Sequence, residues 1–364
     1  MNQRLPDAGA LLPTATRGRG TTRNPVGRFE PRSTVAVDDG WGQEPDWSAA
    51  QTVVTDEHGK SALSYNQSPD LDFDRTLNPY RGCEHGCIYC YARPSHGFLG
   101  LSAGLDFETR IFAKPDAPAL LEAELRRPAY KPALVLIGAN TDAWQPAERQ
   151  RGITRQLLEK LLEFRHPFGF ITKSALILRD LDLLSEAARL GLCRGYVTVT
   201  TLQPELARKL EPRTAAPHRR LEVIAELAAA AIPVGVMAAP MIPALNDHEL
   251  EGILTAAHAA GAQRAGYILL RLPFEIKDLF ENWLHDHAPD RAQRVLSLLR
   301  QSRQGQLNNV DFGLRMRGTG PVADLLRQRF TLMVRRLGLD TGWPAPTTEQ
   351  FAVPGRCKRQ LELF

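Results

Sequence analysis

The chain alternates between short apolar runs and longer segments in which apolar residues recur every three or four positions. Each run is continuously apolar, which predicts a strand covered on both faces, as in a parallel sheet. The runs are ALVLIG (133–138), FGFIT (168–172), GYVTVT (195–200), PVGVMAA (233–239) and AGYILLRL (265–272). RTLNPY (75–80) precedes them as a further predicted strand.

The segments between the strands predict helices, so that strands and helices form six consecutive βα units. The predicted helices cover residues 117–127, 147–165, 176–190, 217–231, 247–260 and 274–286, followed by two more near 289–303 and 321–337. This alternation predicts an α/β fold, and periodicity alone leaves open a doubly wound sheet or a barrel. Upstream, QTVVTDEHGKSALSYN (51–66) predicts a short hairpin.

Ligands of parallel α/β folds gather at the carboxyl ends of the strands, so the residues after each predicted strand are the first candidates for a site. In this chain they are polar or rich in Gly and Pro: GANTD, TKS, TTLQP, APMIPALND and RLP. The sequence therefore predicts a polar site at one edge of the sheet.

The composition is that of a globular protein, with 43% apolar and 24% charged residues among 364. No apolar run reaches the roughly 18 residues that a membrane span requires. The five cysteines are odd in number, and three of them are clustered, which does not suit a disulfide framework. Free thiols are typical of a reducing compartment, so we expect a cytoplasmic protein.

The net charge of +4 is concentrated near the N-terminus, because residues 1–34 carry six arginines against two acidic residues. A basic arm rich in Gly, Pro and Thr is either solvated and disordered or able to contact phosphates. The chain is therefore divided into a basic disordered arm (1–34), a lead-in (35–73), a core barrel (74–288), a C-terminal helical extension (289–340) and a tail (341–364).

Three cysteines, Cys83, Cys87 and Cys90, follow the first predicted strand as C-x3-C-x2-C. A structural zinc site normally has four ligands, and His85 is the nearest candidate for a fourth. A 4Fe–4S cluster bound by three cysteines instead leaves one iron open to substrate or cofactor atoms. The pattern favours the reactive cluster, with zinc as the alternative.

The surrounding string NPYRGCEHGCIYCYARPSH (78–96) places an aromatic residue, Tyr89, before the last cysteine. Together with ITKSALILRDLDLL, KLEPRTAAPHRRL and PVGVMAAPMIP, it resembles the radical S-adenosylmethionine (SAM) superfamily and, within it, the spore photoproduct lyase-like branch. The resemblance covers roughly residues 60–340. It implies a partial (β/α)6 barrel, which decides between the two folds that periodicity leaves open.

The resemblance also implies the chemistry. In this superfamily the amino and carboxylate groups of SAM bind the open iron, and one electron cleaves SAM to a 5′-deoxyadenosyl radical that abstracts a substrate hydrogen. A radical requires a water-poor cavity, which the barrel mouth would supply. An electron donor such as flavodoxin or ferredoxin is implied as well.

Four candidate residues for SAM binding lie in or near the cysteine motif and after the second strand. Tyr89 is either beside the adenine or a packing residue, and Gly138, Asn140 and Asp142 occupy the position where the backbone approaches the SAM amino group. Lys173 ends the third strand and resembles a lysine that neutralises the SAM carboxylate; a solvated strand-end cation is the alternative.

The remaining cofactor candidates follow later strands. Thr198 and Thr200 either reach the ribose hydroxyls or simply fill a strand, where β-branched residues are common. Arg213, in EPRT, and Arg271, at the end of the sixth strand, bind a carboxylate or phosphate or form ordinary surface ion pairs.

Two features modify the expected function. Spore photoproduct lyase returns hydrogen from a cysteine after its second strand, whereas GANTDAWQP has none, and Cys193 lies before its own strand. The final residues Gln360–Phe364, QLELF, resemble the motif that docks bacterial polymerases and repair proteins on the DNA sliding clamp; a tail packed on its own domain is the alternative.

These observations predict a radical SAM enzyme that acts on nucleic acid, in DNA repair or modification. One alternative keeps the chemistry but assigns RNA, a protein side chain or a small molecule as substrate. Another is a non-catalytic iron–sulfur or zinc protein that docks on the sliding clamp.

Overall fold

The computed structural model describes residues 18–21, 23–25, 27–29, 51–340, 342–343 and 345–355. The strands within these residues are β1 Val53–Asp56, β2 Leu63–Tyr65, β3 Arg75–Leu77, β4 Tyr80–Arg81, β5 Arg110–Ala113, β6 Val135–Ile137, β7 Phe168–Thr172, β8 Cys193–Thr198, β9 Val234–Met241 and β10 Arg264–Leu269. The clamp-like residues Gln360–Phe364 and Cys357 lie outside the described residues.

The described α-helices follow or connect these strands. They are α1 Leu105–Thr109, α2 Ala117–Leu125, α3 Glu148–Arg151, α4 Ile153–Glu163, α5 Leu181–Arg189, α6 Pro204–Leu210, α7 Pro217–Ala229, α8 Leu250–Ala259, α9 Ile276–His287, α10 Pro289–Gln301 and α11 Gly320–Leu337. Short 3-10 helices cover Arg93–Leu99, Ala175–Asp180 and Asp247–Glu249. None of these helices is both long and apolar enough to cross a membrane.

The main sheet has seven strands in the order β10-β9-β8-β7-β6-β3-β2. Six of them are parallel, and β2 joins the edge antiparallel to β3. The predicted α/β fold with six parallel strands is confirmed. Because the sheet keeps two edges, β10 and β2, it is a partial barrel rather than a closed one.

The gap between the two edges is bridged by loops. The amide of Leu269, on β10, donates to the carbonyl of Met316 at 3.0 Å. The neighbouring Arg315 places its Nε 2.5 Å from Oδ2 of Asp70, which lies beyond β2. Side chains after the last strand thus reach the segment that precedes β3.

The predicted hairpin over residues 51–66 is wrong. β1 pairs in parallel with β5, in a separate three-stranded sheet ordered β1-β5-β4, whereas β2 pairs with β3 in the main sheet. RTLNPY is likewise divided into β3 and β4, since Pro79 has no amide to continue a ladder. The predicted helix 147–165 breaks at Gly152, whose φ of 63° ends α3.

Two apolar clusters hold these elements in place. The larger joins the parallel strands to the helices that cover them, through buried residues such as Val135, Phe168 and Val234. The second joins Ile88 and Tyr89 of the cysteine segment to α9 and α10 through residues such as Phe280 and Leu299. The cysteine segment is therefore packed into a core of its own.

Candidate active site at the carboxyl ends of the strands

The cysteines lie in the loop between β4 and the 3-10 helix Arg93–Leu99, close to the carboxyl end of β3. The amide of Cys83 donates to the carbonyl of Phe107 at 2.9 Å, and the amide of Ile88 donates to the carbonyl of Leu210 at 3.0 Å. These hydrogen bonds to two elements that are distant in sequence fix the backbone of the loop without any cofactor.

The three cysteines lie within residues 83–90 of this one loop. Cys83 and Cys87 are 7% and 9% exposed, while Cys90 is half-buried and packs against the apolar residues around each of them. Burial raises the pKa of Cys83 well above its usual value, and negative charge on Asp142, Cys87 and Cys90 raises it further. Burial also raises the pKa of Cys87 to about 12. Cys87 and Cys90 thus lie close enough to Cys83 for their charges to raise its pKa.

A fully buried ion pair braces the loop from beneath. Arg93 donates from Nε to the carbonyl of Cys87 at 2.8 Å and from Nη2 to the carbonyl of Gly86 at 3.1 Å. The same Nη2 lies 2.5 Å from Oε1 of Glu108, and both side chains are 0% exposed. We call this pair the Arg93–Glu108 brace. It fixes the loop through its own carbonyl groups, which leaves the cysteine side chains free.

The N-terminal segment is attached to the same brace. The amides of Gly20 and Thr21 donate to the two carboxylate oxygens of Glu108 at 2.9 and 3.1 Å. Further along, Nε of Arg28 lies 2.8 Å from Oε1 of Glu275, after β10. The described residues of the basic arm are therefore held against the core, because backbone amides and an arginine find buried or half-buried carboxylates there.

Asp142, predicted to face SAM, joins three elements of the site. Its carboxylate accepts hydrogen bonds from the hydroxyl of Thr172 at 2.8 and 2.9 Å and from the amide of Lys173 at 2.8 Å. It also accepts from the amide of Trp144 at 2.9 Å and lies 3.4 Å from Nδ1 of His85. With both oxygens engaged, Asp142 acts as a positioning residue that ties the cysteine loop to β7.

A cluster of polar side chains surrounds Tyr89, which is 8% exposed, and we call this cluster the inner pocket. Its hydroxyl lies 3.2 Å from Oγ1 of Thr200, and Nζ of Lys173 lies 5.8 Å from the centre of its ring. Across the described chain, that ammonium makes no hydrogen bond or ion pair with a carboxylate. The structure thus brings together three of the predicted cofactor residues around one half-buried cation.

A second buried ion pair, which the sequence analysis missed, closes this pocket. Nη1 of Arg220 donates to Oε1 of Glu211 and to the carbonyl of Thr198, both at 3.2 Å. Oε2 of Glu211 accepts from the thiol of Cys87 at 3.9 Å. Burial would raise the pKa of Glu211, but the charges of Arg220 and Lys173 outweigh it, so its pKa is lowered and the carboxylate stays ionised.

The other predicted residues take varied positions. Gly138 ends β6 with a φ of 82°, and a Cβ there would lie 2.7 Å from the carbonyl oxygen of Ile171, so only glycine fits. The backbone amide of Asn140 donates to Oδ1 of Asn78 at 3.0 Å. Thr198 is buried, and its carbonyl accepts a hydrogen bond from Nη1 of Arg220.

The two predicted arginines lie apart from each other. Arg213 is 37% exposed, with Nη2 3.6 Å from Oε1 of Glu84 in the cysteine loop, which is the ion-pair alternative raised by the sequence. Arg271 instead lies over the ring of Tyr91, with Cζ 4.9 Å from its centre. Cys193 is 3% exposed at the amino end of β8, far from the cysteine loop along the sheet, as its place before the strand predicts.

Comparison with known proteins agrees with this geometry. The sequence profile of the radical SAM superfamily matches residues 77–257, the segment that carries the cysteine loop and the strands β4 to β9. A protein of Mycobacterium tuberculosis described as uncharacterized is 36% identical over 247 residues, covering 66% of this chain and 72% of its own. The chain belongs to the radical SAM superfamily of enzymes. A protein of Methanocaldococcus jannaschii, also described as uncharacterized, is 25% identical over 173 residues, covering 48% of this chain and 62% of its own.

Among solved structures, spore photoproduct lyase has the same fold. One of its variants, with bound AdoMet and dinucleoside spore photoproduct, aligns with a TM-score of 0.58 at 15% identity, over 78% of this chain and 79% of that chain. Another spore photoproduct lyase variant aligns with a TM-score of 0.57 over 78% and 79%. The fold expected from the resemblance is confirmed.

The radical SAM superfamily implies a 4Fe–4S cluster and SAM, and the residues of this chain fit both. Three thiols in one loop would supply the donor set for the cluster, and the cations Lys173 and Arg220 partly offset the rise that burial causes in the pKa of Cys87. In the described part of the chain, no three His, Cys, Asp or Glu side chains converge as the ligands of a single metal ion would. The ammonium of Lys173 is half-buried beside Tyr89 and has no carboxylate partner in the described chain. The carboxylate of a bound SAM would pair with it.

Proposed function

We propose that Cys83, Cys87 and Cys90 bind a 4Fe–4S cluster, that the enzyme uses it to cleave SAM, and that its substrate is a nucleic acid in DNA repair or modification. The presence of three thiols in one loop near the carboxyl ends of six parallel strands carries the chemical part of this proposal. When bound, the reduced cluster supplies the electron that converts SAM to a 5′-deoxyadenosyl radical.

The residues of the inner pocket would bind and orient SAM. Lys173 would pair with its carboxylate, because a half-buried ammonium without a partner is stabilised by an opposite charge. Tyr89 and Thr200 would form the wall of the pocket and exclude water from it. Glu211 is already paired with Arg220, so it does not compete for Lys173 as a free carboxylate would.

Replacing Lys173 with alanine should weaken SAM binding by about ten- to a hundredfold, the range expected when a charge-assisted hydrogen bond is lost. Iron content should not change, because Lys173 is not a ligand of the cluster. Equilibrium dialysis of SAM against the iron-loaded protein measures the effect. Lys160→Ala is the matched control, since Lys160 forms only surface ion pairs with Glu122 and Glu163. Equal SAM affinity in the two variants would contradict the assignment.

Two observations support a nucleic acid substrate. The solved spore photoproduct lyase that shares this fold carries a dinucleoside photoproduct, and the chain ends in the clamp-like QLELF. The loop after β6 contains no cysteine, so hydrogen return would proceed differently from the cysteine-dependent step of spore photoproduct lyase.

The direct test is SAM cleavage under anaerobic conditions with a chemical reductant. The iron-loaded enzyme should release 5′-deoxyadenosine, and DNA that contains lesions should accelerate the release more than undamaged DNA, RNA or protein. If RNA or a metabolite pool accelerates 5′-deoxyadenosine release and DNA does not, the substrate is RNA or a small molecule instead of DNA. A fully loaded protein that never cleaves SAM would instead favour the non-catalytic interaction protein.

Changing Leu361, Leu363 and Phe364 together to alanine should abolish binding to the bacterial sliding clamp, because apolar anchors dominate the affinity of such peptides. Isothermal titration calorimetry with the purified clamp measures this. The control variant changes the adjacent polar residues Arg356, Lys358 and Arg359 to alanine and should retain binding. If the unmodified chain does not bind the clamp, the docking proposal fails while the SAM chemistry is unaffected.

A further inference from the structure

The cysteine loop carries two cations on two different faces. Tyr89 and Tyr91 flank Cys90 in sequence; Lys173 lies 5.8 Å from the centre of the Tyr89 ring, and Cζ of Arg271 lies 4.9 Å from that of Tyr91. Tyr89 is 8% exposed and Tyr91 is 47% exposed. Lys173 thus lies beside a buried tyrosine ring, and Arg271 lies beside a solvent-exposed one.

Arg271 has no counter-charge of its own. Within the residues that the structure describes, its guanidinium makes no hydrogen bond and no ion pair. The charge of Asp70 acts on Arg271, but this carboxylate already accepts from Nε of Arg315 at 2.5 Å and from the amide of Gly313 at 2.6 Å. Burial, followed by the charge of Arg315, lowers the pKa of Arg271. This half-buried cation therefore lacks the partner that such groups normally have.

The neighbours of Arg271 add positive charge. Arg303 is buried and donates to the carbonyls of Leu269 at 2.8 Å and Leu270 at 2.9 Å, so its charge is solvated by backbone dipoles but not neutralised. Burial and the charge of Arg271 lower the pKa of Arg303 to about 10. Of the three arginines Arg271, Arg303 and Arg315, only Arg315 forms an ion pair with a carboxylate of the described chain, that of Asp70.

The position of this excess charge points to the substrate. The hydroxyl of Tyr91 donates to the carbonyl of Ala139, which directly follows Gly138 at the end of β6, so Tyr91 links the ends of β6 and β10 across the mouth. The SAM carboxylate is already assigned to Lys173 on the buried side of the loop, so it does not explain the second cation, Arg271.

We propose that Arg271 binds a phosphate of the nucleic acid backbone at the barrel mouth and is not part of the SAM site. This inference rests on the proposed nucleic acid substrate and deepens it. An arginine fork can bind two phosphate oxygens at once, and the uncompensated charge of Arg303 strengthens the attraction. DNA and RNA present the same phosphodiester, so the contact itself does not distinguish between them.

The test compares Arg271→Ala, Arg271→Lys and a control in the iron-loaded protein. Fluorescence anisotropy measures binding of a labelled single-stranded DNA 20-mer, and of an RNA of the same sequence, at several salt concentrations. Arg271→Ala should lower the magnitude of the salt dependence by about 0.7 in log–log slope, the value for one phosphate contact of a single strand. Arg271→Lys should restore the slope but not the full affinity, because lysine keeps the charge and loses the fork.

Arg189→Ala is the control, because Arg189 ends α5 just before β8 begins, at the opposite end of the barrel, and pairs there with Glu186. Its binding of DNA and RNA should equal that of the unmodified protein. The SAM dissociation constant of Arg271→Ala should stay within about twofold of the unmodified value, in contrast to the loss expected for Lys173→Ala.

Three results overturn the inference. If Arg271→Ala binds nucleic acid with an unchanged salt slope, the phosphate contact is wrong while the proposed function stands. If it loses SAM affinity to the same extent as Lys173→Ala, Arg271 belongs to the SAM site. If the unmodified enzyme retains neither DNA nor RNA at low salt, the nucleic acid substrate and the phosphate contact both fall.

Discussion

Replacing any one of Cys83, Cys87 or Cys90 with alanine should remove the iron–sulfur cluster, so that the protein falls from about four irons per chain after anaerobic reconstitution to almost none. Two thiolates cannot replace three, because the other described cysteine, Cys193, is buried at the opposite end of the sheet. Iron and sulfide analysis, together with visible absorption, measures the loss.

Cys193→Ala is the matched control. Burial raises the pKa of Cys193 to about 12, and its thiol donates to the carbonyl of Leu184 at 3.4 Å, so it is a neutral packing residue. This variant should load iron normally. Stoichiometric zinc without iron–sulfur absorption in the unmodified protein would overturn the cluster, and iron loss in Cys193→Ala would show that the donor set has been misassigned.

The strands of the barrel could be predicted because their residues are buried or half-buried on both faces, so each strand leaves a largely apolar run. FGFIT predicts β7 to the residue, and the other runs lie within a few residues of their strands. The hairpin failed for the opposite reason. VVTD and LSY have strand-like local patterns, but the partner of a strand is chosen by tertiary packing, which the local sequence does not contain.

The candidate site was predictable where spacing or position carried the signal. The cysteines were found from their spacing and Lys173 from its place after a strand. The ion pairs Arg93–Glu108 and Glu211–Arg220 were missed, because charged residues are normally on the surface and nothing local marks the exceptions. In EPRT the sequence drew attention to Arg213, whereas the structure buries Glu211 of the same segment and leaves Arg213 exposed.

The arginines of the basic arm also have partners that the sequence does not reveal. Its arginines suggest phosphate binding, yet Arg19 donates to the carbonyl of Glu108 and to the hydroxyl of Thr52, both at 3.0 Å, and Arg28 pairs with Glu275. At least these two side chains hold the arm on the core. Deleting residues 1–34 would therefore disturb the cysteine loop as well as any nucleic acid contact, so it is a poor test of phosphate binding by the arm.

The Arg93–Glu108 brace should be among the most sensitive points of the fold. Glu108→Gln leaves the fully buried Arg93 without a counter-charge, and breaking a buried pair in this way costs about 3–5 kcal/mol. The control is Glu186→Gln, which breaks the exposed pair with Arg189 and should cost no more than about 1 kcal/mol. Urea unfolding of the metal-free proteins measures both changes in the free energy of unfolding.

A milder variant separates the attachment of the N-terminal segment from the brace itself. A Cβ on Gly20 would lie 1.7 Å from the carbonyl oxygen of Gly86, so Gly20→Ala must displace the segment while Arg93 and Glu108 remain paired. Gly59→Ala is its control, since the nearest atom to a Cβ there is an ordinary 3.5 Å away. Limited proteolysis should cut Gly20→Ala near its N-terminus faster than the control.

If the N-terminal segment is held through Glu108, the effects of Glu108→Gln and Gly20→Ala on proteolysis and unfolding should not be additive. In Glu108→Gln the remaining carbonyl oxygen can accept from only one of the Gly20 and Thr21 amides. The NH₂ group would face the other amide, which needs an acceptor, so the attachment of the segment is already weakened in that variant. Adding Gly20→Ala should then change neither the rate of proteolysis nor the free energy of unfolding. If Glu108→Gln unfolds no more easily than Glu186→Gln, or if the two effects add fully, the cysteine loop is held by contacts other than the brace.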